Sequence, residues 1–254
     1  MLADIMHRGR RFRVDLSQPI DLALPLAAGD SGPRAWYVGP VAMAPVRLGD
    51  RVFAVREGAP VNFRDVRFNP HGHGTHTESV GHISPEGHPV GGLLKRYFFT
   101  AQLVSVRPEG RRAPDQREDR VITLEQLRSV VSERPPEALV IRTLPNDEGA
   151  ATRQWSGTNP CYLQSTACAW LRSIGVKHLL LDLPSVDREE DGGVLAAHHA
   201  FWDCRATVDV ERTSPPPLHV PTSAAGGGYL LELQLPHFVN DAAPSRPVLY
   251  AVLP

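Results

Sequence analysis

The chain has 254 residues, 42% of them hydrophobic and 22% charged, with a formal net charge of -1. That composition belongs to a globular chain long enough for a sizeable core, and it excludes disordered, collagen-like and coiled-coil architectures. The near-zero charge removes the electrostatic case for a nucleic-acid partner, and no apolar run approaches the ~20 residues that would span a membrane.

The first residues contain no apolar stretch long enough for a secretory signal. They are broken by Arg8-Gly9-Arg10-Arg11, a charged run that reads as a solvated face. Three cysteines (Cys161, Cys168, Cys204) with no Cys-x-x-Cys pair point to a reducing, cytoplasmic setting rather than a disulfide framework. Glycine (21) and proline (24) punctuate the chain and favour many short elements over a helical bundle. Phe98 to Val106 reads as extended, and the polar stretch Arg107 to Arg120 as a surface loop. Thr123 and Gln126 form a capping box that opens a helix at Leu124, closed before Pro135. Ala138 to Thr143, β-branched and aliphatic, predicts a buried strand. Asn159-Pro160 then offers an N-cap with proline at the first helical position. Leu163, Ala167, Trp170, Leu171 and Ile174 recur at helical spacing, and Gly175 supplies the stop. Lys177 to Asp182 is a second buried strand, so strand, helix and strand form a βαβ unit with parallel neighbours. Gly226-Gly227-Gly228 reads as a turn or link before extended segments at Tyr229 to Leu235 and Val248 to Leu253. With no repeat and no shift in composition, residues 1–254 read as one mixed α/β domain, richer in strand than helix.

One segment carries chemistry: Asn69-Pro-His-Gly-His-Gly-Thr-His-Thr-Glu-Ser-Val-Gly-His82. His71, His73, His76, His82 and His88 fall within eighteen residues, where even scatter would put roughly one. His76 and Glu78 are two apart, so on an extended backbone both project to the same side. Gly72 and Gly74 let the chain fold tightly enough to return His71 toward that pair. Imidazoles with a carboxylate suit zinc, and also manganese or iron. Three local donors leave such an ion under-coordinated; His198, His199, Asp203, Asp209 and Glu211, after the second βαβ strand, have the chemistry to complete it.

The pattern His-x-x-Gly-Thr-His-x-Glu-x-x-Gly-His resembles the signature of the cyclase family of metal-dependent hydrolases, which includes bacterial kynurenine formamidase. The likeness extends to Asp15-Leu-Ser-Gln-Pro-Ile20, Ile141-Arg-Thr-Leu-Pro-Asn146, Leu181-Asp-Leu-Pro-Ser-Val-Asp187 with His198-His-Ala-Phe-Trp202, and Asn240-Asp-Ala-Ala-Pro-Ser-Arg-Pro-Val248. It implies a mixed-sheet swivelling β/β/α fold, assembled as a homodimer or homotetramer. Position by position it assigns His71, His76, Glu78 and His198 to one or two divalent ions, zinc or manganese, and His82 to acid/base catalysis. His73 has no ligand role by this carry-over and is expected to orient a ligand or cap the turn.

Two positions depart from the family pattern. The first histidine of the common form falls on Gly72, so His71 takes its place through an altered turn. The further carboxylate ligand falls on Pro216, with Glu211, five residues upstream, as the substitute if the local register shifts. The function implied is hydrolysis of a small amide, formamide, lactam or lactone by metal-activated water with a histidine acid/base. The alternative is a relative that binds a ligand or metal without turnover, having lost a carboxylate ligand. No Gly-x-Ser-x-Gly elbow and no Gly-x4-Gly-Lys-Ser/Thr loop competes with it. Cys161 is expected to be buried structure rather than a nucleophile. Trp155, Trp170, Trp202 and Tyr97 are expected to be core before they are pocket lining.

Overall fold

In the computed structural model, which describes residues 1–113, 115–146, 148–203, 208–214 and 216–253, the two apolar runs of the βαβ unit lie side by side in the main sheet. Cys204 and Pro215 lie outside those residues. The strands that matter are β1 (Leu2–His7), β2 (Arg10–Asp15), β3 (Ile20–Asp21), β4 (His76–Glu78), β5 (Phe98–Val106), β6 (Ala138–Thr143), β7 (His178–Leu181), β8 (Gly227–Glu232), β9 (Ala242–Pro244) and β10 (Val248–Leu253). The helices that pack on this sheet are α1 (Leu124–Val130), α2 (Ser165–Ser173) and α3 (Ala196–Trp202); Val90–Leu93 forms a further single turn. The main sheet runs β1-β2-β10-β8-β5-β6-β7, with β3 also on β10. β5, β6 and β7 are parallel, whereas β8 is antiparallel to β5 and β10 to β8. The result is a mixed-sheet α/β fold with few helices, as the sequence predicts.

Burial on both faces explains the unbroken apolar run of β6. Leu139 and Ile141 pack with Leu127, Leu171, Phe201 and Trp202 of the three helices. Ala138 and Val140 point the other way, into a second cluster with Leu22, Leu218, Val220 and Leu249. α1 opens on the expected capping box: Gln126 N–H donates to Thr123 Oγ1 at 3.3 Å and Thr123 N–H to Gln126 Oε1 at 3.0 Å. Gly175 closes the turn after α2 at φ 93°, a left-handed conformation that glycine adopts without penalty.

Three expectations are corrected. α2 begins at Ser165, not after Asn159, because Asn159 is a tertiary clamp. Its amide donates to Asp119 Oδ1 at 3.0 Å and its backbone N–H to Glu189 Oε2 at 3.0 Å, and Tyr162–Leu163 then pairs in parallel with Val121 and Ile122. The polar stretch from Arg107 to Arg120 is not a loop but an antiparallel hairpin, Glu109–Arg112 against Glu118–Ile122. Its first strand is exposed throughout, which is why its composition gives no periodic signal. Gly227 and Gly228 belong to β8 itself, which ends at Glu232 rather than Leu235.

Candidate metal centre

β4 is the scaffold of the histidine segment, and all three of its residues are buried. On one flank it pairs with β9, Ala242 opposite Glu78 and Pro244 opposite His76. On the other it meets Ser214 and Pro216: Glu78 and Ser214 exchange both backbone hydrogen bonds at 3.1 Å, and His76 N–H donates to the Pro216 carbonyl at 3.2 Å. Proline has no N–H to return. Strand alternation puts His76 and Glu78 on the same face, and four imidazoles surround the Glu78 carboxylate. His71 Nδ1 is 3.1 Å from Glu78 Oε2, His76 Nε2 is 3.9 Å from that oxygen, and His198 Nε2 is 3.5 Å from Oε1. The His82 ring stacks on that of His71 at 4.2 Å between centroids and lies 5.6 Å from that of His198.

Two aspartates hold the outer imidazoles. The Asp187 carboxylate accepts from the backbone N–H groups of Ala197 and His198 at 2.7 and 3.0 Å, fixing the start of α3. It also accepts from His198 Nδ1 at 2.5 Å, which turns Nε2 toward Glu78. Trp202, fully buried one turn later, stacks on the His198 ring. Asp241 Oδ2 lies 2.7 Å from His71 Nε2 and 3.6 Å from His82 Nδ1.

These contacts set the charge. Burial opposes ionisation of Glu78, but the surrounding imidazoles of His82, His198, His71 and His76 outweigh it and hold the carboxyl well below its ordinary range. Burial also pulls His71 and His198 down. Glu78 and Asp241 overcome this for His71, and Asp187 and Glu78 for His198, so both are raised. His82 moves the other way, because burial and the neighbouring His71 and His198 outweigh its carboxylates and favour the neutral ring.

The arrangement fits a divalent cation by its donor chemistry. His71, Glu78 and His82 each offer one atom, all within 4.8 Å of one another, and the nitrogen-plus-carboxylate set suits zinc or manganese. His82, which the sequence assigns to proton transfer, stands within this same cluster. His76 and His198 approach Glu78 from the remaining sides.

Glu211 is the residue the structure does not bring in. Its side chain is 76% exposed and faces Lys177 at 3.5 Å, because Ser214, not an upstream residue, holds the register opposite Glu78. Asp209 pairs with Lys177 and Asp203 with Arg172. His73 caps its own turn, with Nδ1 accepting from Asn69 N–H and Nε2 2.8 Å from the Gly39 carbonyl. Cys161 is buried ahead of α2, which begins only at Ser165, and its thiol is pushed up to about 12, chiefly by that burial. Trp155 and Trp202 are core, while Tyr97 is exposed. The sequence reading missed Asp187 and Asp241 as members of the site. Both lie in segments that carried the family likeness, but no local spacing says that either carboxylate turns toward an imidazole.

A cavity of about 1200 Å³ lies elsewhere, lined by Arg8, Arg10, Gln102, Pro136, Lys177 and Tyr229 among others at the N-terminal ends of the parallel strands. Donor chemistry rather than concavity marks the centre.

A model of the family described as "Putative cyclase" matches residues 14–188, more than half of the chain. The chain belongs to the cyclase family. Solved structures similar to this cyclase-family chain include isatin hydrolase A from Labrenzia aggregata, bound to benzyl benzoate, with a TM-score of 0.65 at 14% identity over 93% of this chain and 94% of that one. Isatin hydrolase A from Ralstonia solanacearum gives 0.63 at 15% identity over 92% of each chain. A predicted metal-dependent hydrolase from Bacillus stearothermophilus gives 0.61 at 15% over 92% of this chain and 98% of that one. At such identities the likeness establishes the fold.

Proposed function

We propose that this cyclase-family chain is a metal-dependent hydrolase of small amides, formamides, lactams or lactones. One observation carries the reading: the buried Glu78 carboxylate is ringed by His71, His76, His82 and His198, with the donors of His71, Glu78 and His82 within 4.8 Å. A divalent ion held there, zinc or manganese, supplies Lewis acidity that polarises a carbonyl and acidifies water. The chain's own residues do the rest. Glu78 supplies the negative charge, and Asp187 fixes His198 with Nε2 facing inward. His82, about a third exposed and favoured in its neutral form, takes a proton from the attacking water and returns it to the leaving nitrogen or oxygen. The family likeness supports a homodimer or homotetramer. Composition supports a cytoplasmic setting with no nucleic-acid or membrane partner; no helix among the described residues is long and apolar enough to cross a membrane.

The test is metal analysis of protein reconstituted with zinc or manganese, joined to turnover of a panel of N-formyl amides, lactones and isatin, isatin being included because two similar folds are isatin hydrolases. A stoichiometric ion and hydrolysis that disappears in His82→Ala are expected; protein that takes up no ion defeats the reading. A second reading, a binder without turnover, is favoured by Pro216, which lies across from His76 where a carboxylate ligand was expected. It predicts a bound ion and no hydrolysis of any panel member.

A further inference from the structure

His71 sits in a turn and belongs to no strand or helix. The turn is closed by Gly72 N–H donating to Asn69 Oδ1 at 3.0 Å. Backbone alone therefore does not decide which ring nitrogen His71 turns toward Glu78. Asp241 does. An ionised carboxylate only accepts, so His71 Nε2 carries a hydrogen toward Asp241 at 2.7 Å and Nδ1 one toward Glu78 at 3.1 Å; with Asp241 keeping Nε2–H, Nδ1 is the nitrogen that can exchange its hydrogen for an ion beside Glu78. The same construction recurs at His198 with the nitrogens exchanged: Nδ1–H donates to Asp187, and Nε2 faces Glu78. Asp241 is itself placed by strand pairing, independently of His71. Its carbonyl accepts from Ser79 N–H at 2.9 Å, and Ala242, the next residue, pairs with Glu78.

We propose that Asp241 is the positioning residue of His71, holding Nε2 as the protonated nitrogen and so committing Nδ1 to a divalent ion beside Glu78. The proposal rests on the metal-centre reading above. Carboxylates that hold a ligating histidine in this way are worth roughly 10–100-fold in metal affinity.

Calorimetric titration of chelator-stripped protein with zinc chloride tests it, with circular dichroism to confirm that each variant folds. Asp241→Ala is expected to weaken zinc binding by about 10–100-fold. Asp241→Asn, whose amide oxygen still accepts from Nε2–H, should lose less. In a His71→Ala background the further change Asp241→Ala should cost nothing. Unchanged affinity in Asp241→Ala overturns the proposal. So does an equal loss in the His71→Ala background, since the carboxylate would then act on the ion without His71. Should Asp241→Ala fail to fold, ring-nitrogen NMR of zinc-loaded wild type decides: Nε2–H on His71 supports the proposal and Nδ1–H refutes it. Wild-type protein that binds no zinc or manganese brings down the metal-centre reading instead, a result separate from these.

Discussion

Gly72 shows why the histidine segment has the spacing it has. A Cβ built there would lie 2.6 Å from Val38 Cγ2 and 3.3 Å from the Ala35 carbonyl, so the position is closed to a side chain while Val38 stands against it. Gly72→Ala is therefore expected to cost about 1–3 kcal/mol in unfolding free energy, and Val38→Ala in the same chain should restore part of it. Chemical denaturation of the two variants checks both. Asp182 is a second residue whose environment makes a measurable demand. Its Oδ2 accepts from Thr143 N–H at 2.7 Å, but the buried Oδ1 has no partner among the described residues, and burial lifts the carboxyl from 3.8 to about 6. A carboxyl raised by folding binds its proton more tightly in the native chain. Its contribution to stability is complete below pH 3.8 and is lost as pH rises through about 6, a difference of roughly 3 kcal/mol. Asp182→Asn keeps the acceptor and removes the charge. Relative to wild type it should gain stability between pH 4 and 7, and a flat difference across that window would refute the assignment.

At the scale of elements, α1 and α2 show what a local signal is worth. The capping box at Thr123 and Gln126 satisfies two backbone groups at the start of a seven-residue helix, too short to persist without tertiary packing. Thr123→Ala should cost about 1 kcal/mol, seen as a lowered denaturant midpoint at unchanged slope. Asn159-Pro160 carries an equally good local signal, yet no helix starts there. Asp119 and Glu189 capture Asn159, and the chain gains a parallel pairing with Val121 and Ile122 before α2 begins. The difference lies in what each cap meets in space, not in its sequence.

Across the whole molecule, an ion bound beside Glu78 would couple to folding through β4. Its flanks, β9 and the backbone of Ser214 and Pro216, come from distant parts of the chain, and His198 arrives from α3. Zinc or manganese at about 100 times its dissociation constant should add about 2.7 kcal/mol to the unfolding free energy. Thermal melts before and after addition of a chelator measure this. Glu78→Gln should abolish the shift, and the same variant that still shows it would remove Glu78 from the centre.

The sequence by itself determined the parts governed by near neighbours. Apolar runs set β6 and β7, because each must be buried whichever partner covers it. Alternation placed His76 and Glu78 on one face, and the histidine pattern marked the family. Only the tertiary structure decided which carboxylates joined that face. Asp187 and Asp241 lie 11 and 170 residues from the imidazoles they hold, and Glu211, nearer to His198 in sequence than Asp241, turns to Lys177 instead. A hydrogen bond between distant segments depends on strand register and crossing geometry, and neither leaves a periodic trace in the chain.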